Sequence, residues 1–114
     1  MIAGKVWGKT ESIVKNGVLE FHRIEFKKGF QCSEHIHEYK WNGFFVEKGK
    51  MLIKVWQDGQ NLIDETILNK GDYTEIKPGK YHQFIGLEDG VAFEIYWAEF
   101  NHNDIIRRST GCKT

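Results

Sequence analysis

Two histidines one residue apart, His35-Ile36-His37, and a third downstream, His82, are the residues of this chain with the clearest chemistry. On an extended strand, side chains alternate faces with a period of two, so His35 and His37 project the same way. Their imidazoles can then converge on one ion, and a third imidazole from a distant strand completes a facial set of nitrogen donors for a first-row transition metal. By the same alternation Ser33 and Tyr39 share the histidine face, and Tyr39 can lend a hydroxyl to a cavity there or pack as an aromatic at its mouth. Cys32, Glu34, Ile36 and Glu38 fall on the opposite face, which makes the two glutamates solvated groups rather than ligands. Cys32 has no neighbour that would lower its pKa and reads as an inert thiol. His22 lies among apolar residues and reads as a core or surface histidine. His102, between two asparagines, reads as exposed.

The elements that must carry these residues are short. Glycines at positions 17, 29, 49, 59, 71, 79 and 90 punctuate segments rich in β-branched and aromatic residues. Val18 to Phe26, Gly43 to Val46, Met51 to Trp56, Tyr73 to Ile76 and Val91 to Trp97 read as strands. Met51, Ile53 and Val55 alternate with Leu52, Lys54 and Trp56. Val91, Phe93, Ile95 and Trp97 alternate with Ala92, Glu94 and Tyr96, so one of the two sets lines the interior. We place Glu94 on the exposed side. Asp58-Gly59 is a hairpin-turn dipeptide, Pro78-Gly79 marks a sharp loop, and a single helical turn is expected around Asn103 to Arg108. Several short strands with hardly any helix indicate an all-β chain, an antiparallel sandwich or barrel.

Composition sets the outer bounds. The chain has 114 residues, enough for one core and one domain spanning residues 1–114. Sixteen basic and sixteen acidic residues cancel, and no basic stripe marks a nucleic-acid partner. No apolar segment reaches the roughly 18 residues of a membrane helix, and the N-terminus lacks the apolar run of a signal peptide. Cys32 and Cys112 show no paired metal-ligand spacing and are expected as free thiols of a cytoplasmic protein, the alternative being a bridge that ties the C-terminal tail down.

The registers of glycine and histidine resemble the cupin superfamily, small jelly-roll barrels that commonly hold a metal inside. That family's first motif reads Gly, five residues, His-x-His, three or four residues, Glu, six residues, Gly. Here Gly29, His35, His37 and Gly49 fit, and Asn42 stands where the glutamate belongs. The second motif reads Gly, five residues, Pro-x-Gly, two residues, His, three residues, Asn. Gly71, Gly79 and His82 fit, Lys77-Pro78 shifts the proline by one, and Gly86 takes the asparagine position. The opening Lys5-Val6-Trp7-Gly8 and the closing Asp104 to Arg108 resemble the sugar-phosphate cupins of the mannose-6-phosphate isomerase type. That likeness makes Trp7 a candidate substrate contact, or else a plain core aromatic. It makes Arg107 and Arg108 candidate phosphate holders, or else solvated tail residues.

The resemblance implies a divalent transition metal, with Zn²⁺, Fe²⁺, Ni²⁺ and Mn²⁺ as candidates, on His35, His37 and His82. Asn42 leaves three arrangements open: three imidazoles with water, a fourth ligand through the Asn42 amide oxygen, or a metal-free polar cavity for an organic ligand. The first is preferred, because three neutral imidazoles suffice and open positions serve catalysis. The implied function is an isomerase or epimerase of a small sugar or sugar phosphate, with Glu94 or Tyr96 as candidate bases. A three-histidine Fe²⁺ dioxygenase and a ligand-binding cupin without turnover are the alternatives. A homodimer is expected, covering strand edges and the aromatics Trp41, Phe44 and Phe45, of which the adjacent Phe44 and Phe45 must face opposite sides.

Overall fold

The computed structural model describes residues 1–57, 62–99 and 101–114, and the Asp58-Gly59 turn lies outside them. Seven strands carry the fold: β1 (Ile2–Lys5), β2 (Gly8–Lys15), β3 (Leu19–Phe26), β4 (Trp41–Trp56), β5 (Ile63–Leu68), β6 (Tyr73–Ile76) and β7 (His82–Trp97). All pairings are antiparallel, in the order β1-β2-β3-β7-β4-β5, with β6 also on β4. This is the expected all-β antiparallel architecture. Among the described residues no helix is long and apolar enough to cross a membrane.

The strand expectations hold for β3, β6 and the second half of β7, and differ elsewhere for physical reasons. Strands β1, β2 and β5 carry charged and glycine residues that mask any apolar run, yet the sheet pairs them at or near its edge. Gly43 to Val46 and Met51 to Trp56 are one strand, β4, which stays paired to β7 through register shifts between Val46 and Met51. Such bulges bend a strand without ending it. Its first half pairs β6 and its second half β5, so a single chain segment serves both layers of the sandwich. The segment Asn103 to Arg108 forms no helical turn. The tail has one turn closed by Asp104 N–H on Asn101 O at 3.1 Å and is exposed throughout.

Inside, the sandwich divides into two ends. The apolar end is built from Ile24 and Phe26 on β3, Phe44, Val46, Met51 and Ile53 on β4, Leu68, Ile76, Phe84 and Ala92, all buried. Each large side chain contributes about 1.5–3 kcal/mol by leaving water. The polar end holds Asn42, His82 and Glu94, all buried as well. Phe44 is only 1 % exposed, which corrects its placement among the surface aromatics, whereas Phe45 beside it faces out. Cross-strand register explains the second correction: Glu94 pairs Phe44 on one side and His22 on the other. It therefore shares the inward face with Ala92 and Tyr96, and the apolar set Val91, Phe93, Ile95 and Trp97 covers the outside.

Candidate metal centre

His82 opens β7, and His35 is joined to it by a two-residue bridge, His35 N–H on His82 O at 3.0 Å and His82 N–H on His35 O at 2.9 Å. The Gln31 to Lys40 segment is otherwise outside the strands. Its alternation breaks between Cys32 and His35, because Cys32 is drawn into the core, where its sulfur accepts the Phe84 N–H at 3.2 Å. Cys32 thus lies inside with the histidines rather than opposite them. Burial pushes its thiol up to about 11, consistent with an inert group. Glu34, Ile36 and Glu38 are exposed as expected.

The three rings form a tight cluster, with centroids 5.0 Å apart for His35–His37, 4.5 Å for His35–His82 and 5.2 Å for His37–His82. One nitrogen from each lies within 4.8 Å of the others. Backbone carbonyls set the tautomers. His35 Nδ1 donates to Ser33 O at 2.7 Å and His82 Nδ1 donates to Lys80 O at 3.0 Å, leaving both Nε2 lone pairs for an ion. His37 Nε2 is buried with no hydrogen-bond partner among the described residues. A buried orphan costs about 1–3 kcal/mol, and an ion would remove that cost.

Asn42 stands where a fourth donor belongs. Its Nδ2 is directed at three acceptors, Glu94 Oε2 at 3.4 Å, Ile95 O at 3.4 Å and Gly43 O at 3.5 Å. Its Oδ1 therefore points the other way, 3.1 Å from His82 Nε2. That is the spacing of two ligands at right angles around an ion about 2.1 Å from each. The residues present fit a divalent ion.

Electrostatics agree. Burial, then the neighbouring His35 and His82 rings, lower His37 to about 4, and burial lowers His82. Both rings are therefore neutral near pH 7, the form that ligates. Glu94 is pushed up to about 7 by burial, against hydrogen bonds from Tyr96 and Asn42, and burial beside Glu94 raises the Tyr96 hydroxyl. Burial opposes ionisation of Glu20, yet Lys40 and His22 hold it below the ordinary carboxylate range.

A cavity of about 710 Å³ opens over His35, lined also by Trp7, His22, Gln83, Glu94 and Tyr96. Trp7 packs edge-on against Phe84 at 4.8 Å, against the core, and also lines this cavity. A second groove of about 440 Å³ reaches His37 from the other side, past Glu20, Lys40 and Tyr39. Tyr39 is 85 % exposed on the lip of that groove, so its hydroxyl stays outside the polar interior. His22 faces Glu20 at 3.4 Å and takes no part in the cluster. His102, Arg107 and Arg108 lie exposed in the tail. The sequence alone did not indicate Glu20 and Lys40 beside the site, and it named Glu94 as a candidate base while placing it on the exposed side, where the structure buries it. Only the pairing of β3 and β4 on either side of β7 reveals that parity.

The sequence pattern of the cupin domain family matches residues 22–99. No curated protein matches the chain. Among solved structures, KdgF from Halomonas sp. superposes with a TM-score of 0.73 at 16 % identity, over 88 % of this chain and 89 % of that one. An RmlC-like cupin from Shewanella frigidimarina gives 0.69 at 21 % identity, over 93 % and 88 %. CapF, a capsular polysaccharide assembling protein from Staphylococcus aureus, gives 0.73 at 22 % identity over 91 % of this chain, which spans 32 % of CapF. At such identities the likeness is one of fold.

Proposed function

The chain belongs to the cupin domain family, and from that premise we propose that it is a small metal-binding cupin, one domain over residues 1–114, acting on a sugar or sugar-phosphate-like metabolite as an isomerase or epimerase. The observation that carries the metal is the pair of facing acceptors, Asn42 Oδ1 and His82 Nε2, beside the orphaned Nε2 of His37. His35, His37 and His82 hold the ion and Asn42 offers its amide oxygen. Imidazole donors favour Zn²⁺, Fe²⁺ or Ni²⁺ over Mn²⁺, which prefers oxygen. When bound, such an ion polarises a carbonyl or gathers adjacent hydroxyls.

The rest of the chemistry falls to the chain. Trp7 and Phe84 give the cavity an apolar wall against which a sugar ring can lie, and Gln83 offers an amide to its hydroxyls. Glu94 and Tyr96, two residues apart on the inward face of β7, hold the exchangeable protons on the cavity wall beside His35. They are the groups able to move a proton between neighbouring carbons of a bound ligand. The carbohydrate class is supported by the sugar-phosphate likeness of the termini and by the name of CapF. The absence of a carboxylate among the ligands favours one second reading, a three-histidine Fe²⁺ dioxygenase. We also place the protein in the cytoplasm as a homodimer.

Elemental analysis of protein purified without chelators tests the proposal. The wild type should hold an ion and His37→Ala should fall to background; a wild type that stays empty after supplementation overturns the metal. With the ion in place, aldose–ketose interconversion supports the isomerase, and substrate-dependent oxygen uptake supports the dioxygenase.

A further inference from the structure

The motif carboxylate absent at position 42 has a counterpart one strand away. Glu94 is 9 % exposed, faces inward on β7, and brings Oε2 to 3.4 Å from Asn42 Nδ2. Among the described residues no lysine, arginine or histidine lies within ion-pair distance of it. Among the described residues the Asn42 amide donates to it at 3.4 Å, with the Tyr96 hydroxyl beside it. Burying a carboxyl group is costly unless it is hydrogen-bonded or sees a cation; here the Asn42 amide donates to it and the Lys40 charge acts on it from beyond ion-pair distance. A chain of contacts runs from it to the ion position: Glu94 Oε2 to Asn42 Nδ2, then Asn42 Oδ1 toward His82 Nε2.

We propose that Glu94 is the positioning residue of the centre, holding the Asn42 amide so that Oδ1 faces the ion. Asn42 and Glu94 together then do what one glutamate does in the motif. The amide is the ligand and the carboxyl group polarises it, since a hydrogen bond accepted from Nδ2 draws electron density onto Oδ1. The arrangement keeps Glu94 off the ion, because the amide nitrogen stands between. Ile95 O and Gly43 O, the other neighbours of Nδ2, accept only and share with Glu94 the task of orienting the amide. This inference rests on the metal reading above.

The test is ion affinity, read by chelator competition with Co²⁺ and by the Co²⁺ absorption spectrum, with circular dichroism reporting the fold. Glu94→Gln retains the shape but can turn its own amide toward Asn42, and affinity should fall roughly tenfold or more with an altered spectrum. Glu94→Asp, which withdraws the carboxylate by one methylene, should lose less. Asn42→Glu combined with Glu94→Gln moves the carboxylate to the ligand position and should recover affinity to within about threefold of wild type. A merely structural Glu94 would not be rescued by a second change at position 42. If Glu94→Gln does not fold, the comparison of Glu94→Asp with the double variant decides. Unchanged affinity in Glu94→Gln, or a double variant as weak as the single one, overturns the inference. A wild type that binds no Co²⁺ overturns the metal reading instead, and the inference falls with it.

Discussion

Asn42 Oδ1 and His82 Nε2 face each other at 3.1 Å with no proton between them, because the Nδ1 proton of His82 is committed to Lys80 O and the amide protons of Asn42 to β7 and Gly43. Two lone pairs in contact repel, and a cation turns that repulsion into two bonds. The centre should therefore stabilise the fold on loading. At an ion concentration about 100 times Kd the gain is about 2.7 kcal/mol. In a domain of this size that is a rise of roughly ten degrees or more in Tm. Calorimetry of chelator-treated protein with and without Zn²⁺ checks it; identical Tm values would contradict the site.

His37 shows what the fold gives up for the site. Its buried Nε2 has no partner, and burial with two neighbouring rings lowers it to about 4. His37→Ala removes an unsatisfied group from a half-buried position where little core packing is lost. The ion-free variant should be at least as stable as ion-free wild type in urea, yet show no rise in Tm with Zn²⁺. A large loss of ion-free stability would mean that His37 is a packing residue.

Acid–base linkage gives opposite signs for His37 and Glu94. His37 titrates near 4 folded against 6.5 unfolded, so between these values the unfolded chain holds more protons and stability rises with pH. His82, also lowered, acts the same way. Glu94 titrates near 7 folded against 4.5 unfolded, so the folded chain holds more protons and stability falls as pH rises through that window. The terms oppose each other from about pH 4.5 to 6.5. In ion-free protein, Glu94→Gln should steepen the rise with pH by up to about 1.4 kcal/mol per pH unit, and His37→Ala should flatten it by up to the same amount, leaving His82 opposed to Glu94. Urea titrations at stepped pH read both slopes.

The outward side of β3, β7 and β4 carries the apolar set that the interior does not use. Trp41 stacks with Trp97 at 6.0 Å and Phe21 with Phe93 at 5.3 Å, with Phe45 37 % exposed beside them. This face bears aromatics rather than a single sign of charge, so a second copy can meet it without repulsion. Sedimentation velocity should show a dimer, and Trp97→Glu should shift it to monomer. A wild type that remains monomeric at high concentration removes the dimer.

The legible part of the molecule was the part written in spacing. His35, His37 and His82 could be grouped from their registers with Gly29 and Gly71, and the structure brings all three together. The departure at Asn42 was visible too. What sequence could not supply was parity across strands. Ala92, Glu94 and Tyr96 look like the polar side of β7 until Phe44 and Ile24 are known to pair Glu94 and Ala92 from either side. Alternation also failed between Cys32 and His35, where hydrogen bonds from β7, not strand geometry, decide which way side chains turn. The edge strand β1 was illegible because an edge position demands little of its side chains.

Gly86 shows a departure from motif that the fold itself requires. The asparagine position of the second motif is occupied here by a glycine whose added Cβ would overlap the carbonyl oxygen of Lys27 and lie 3.2 Å from the Phe26 ring. The backbone cannot yield easily: Gly86 O accepts from Gly29 N at 2.8 Å, and Gly86 N donates to Phe30 O at 2.9 Å. These bonds anchor the start of the segment that carries His35 and His37. Restoring the motif residue should therefore damage the protein. Gly86→Asn should lose about 3 kcal/mol in urea unfolding, as overpacking against rigid backbone does. Because the strain falls on the loop that presents the histidines, its ion affinity should fall as well. A stable Gly86→Asn with unaltered ion affinity would show that the Lys27 carbonyl can move aside and that the close approach places no demand on residue 86.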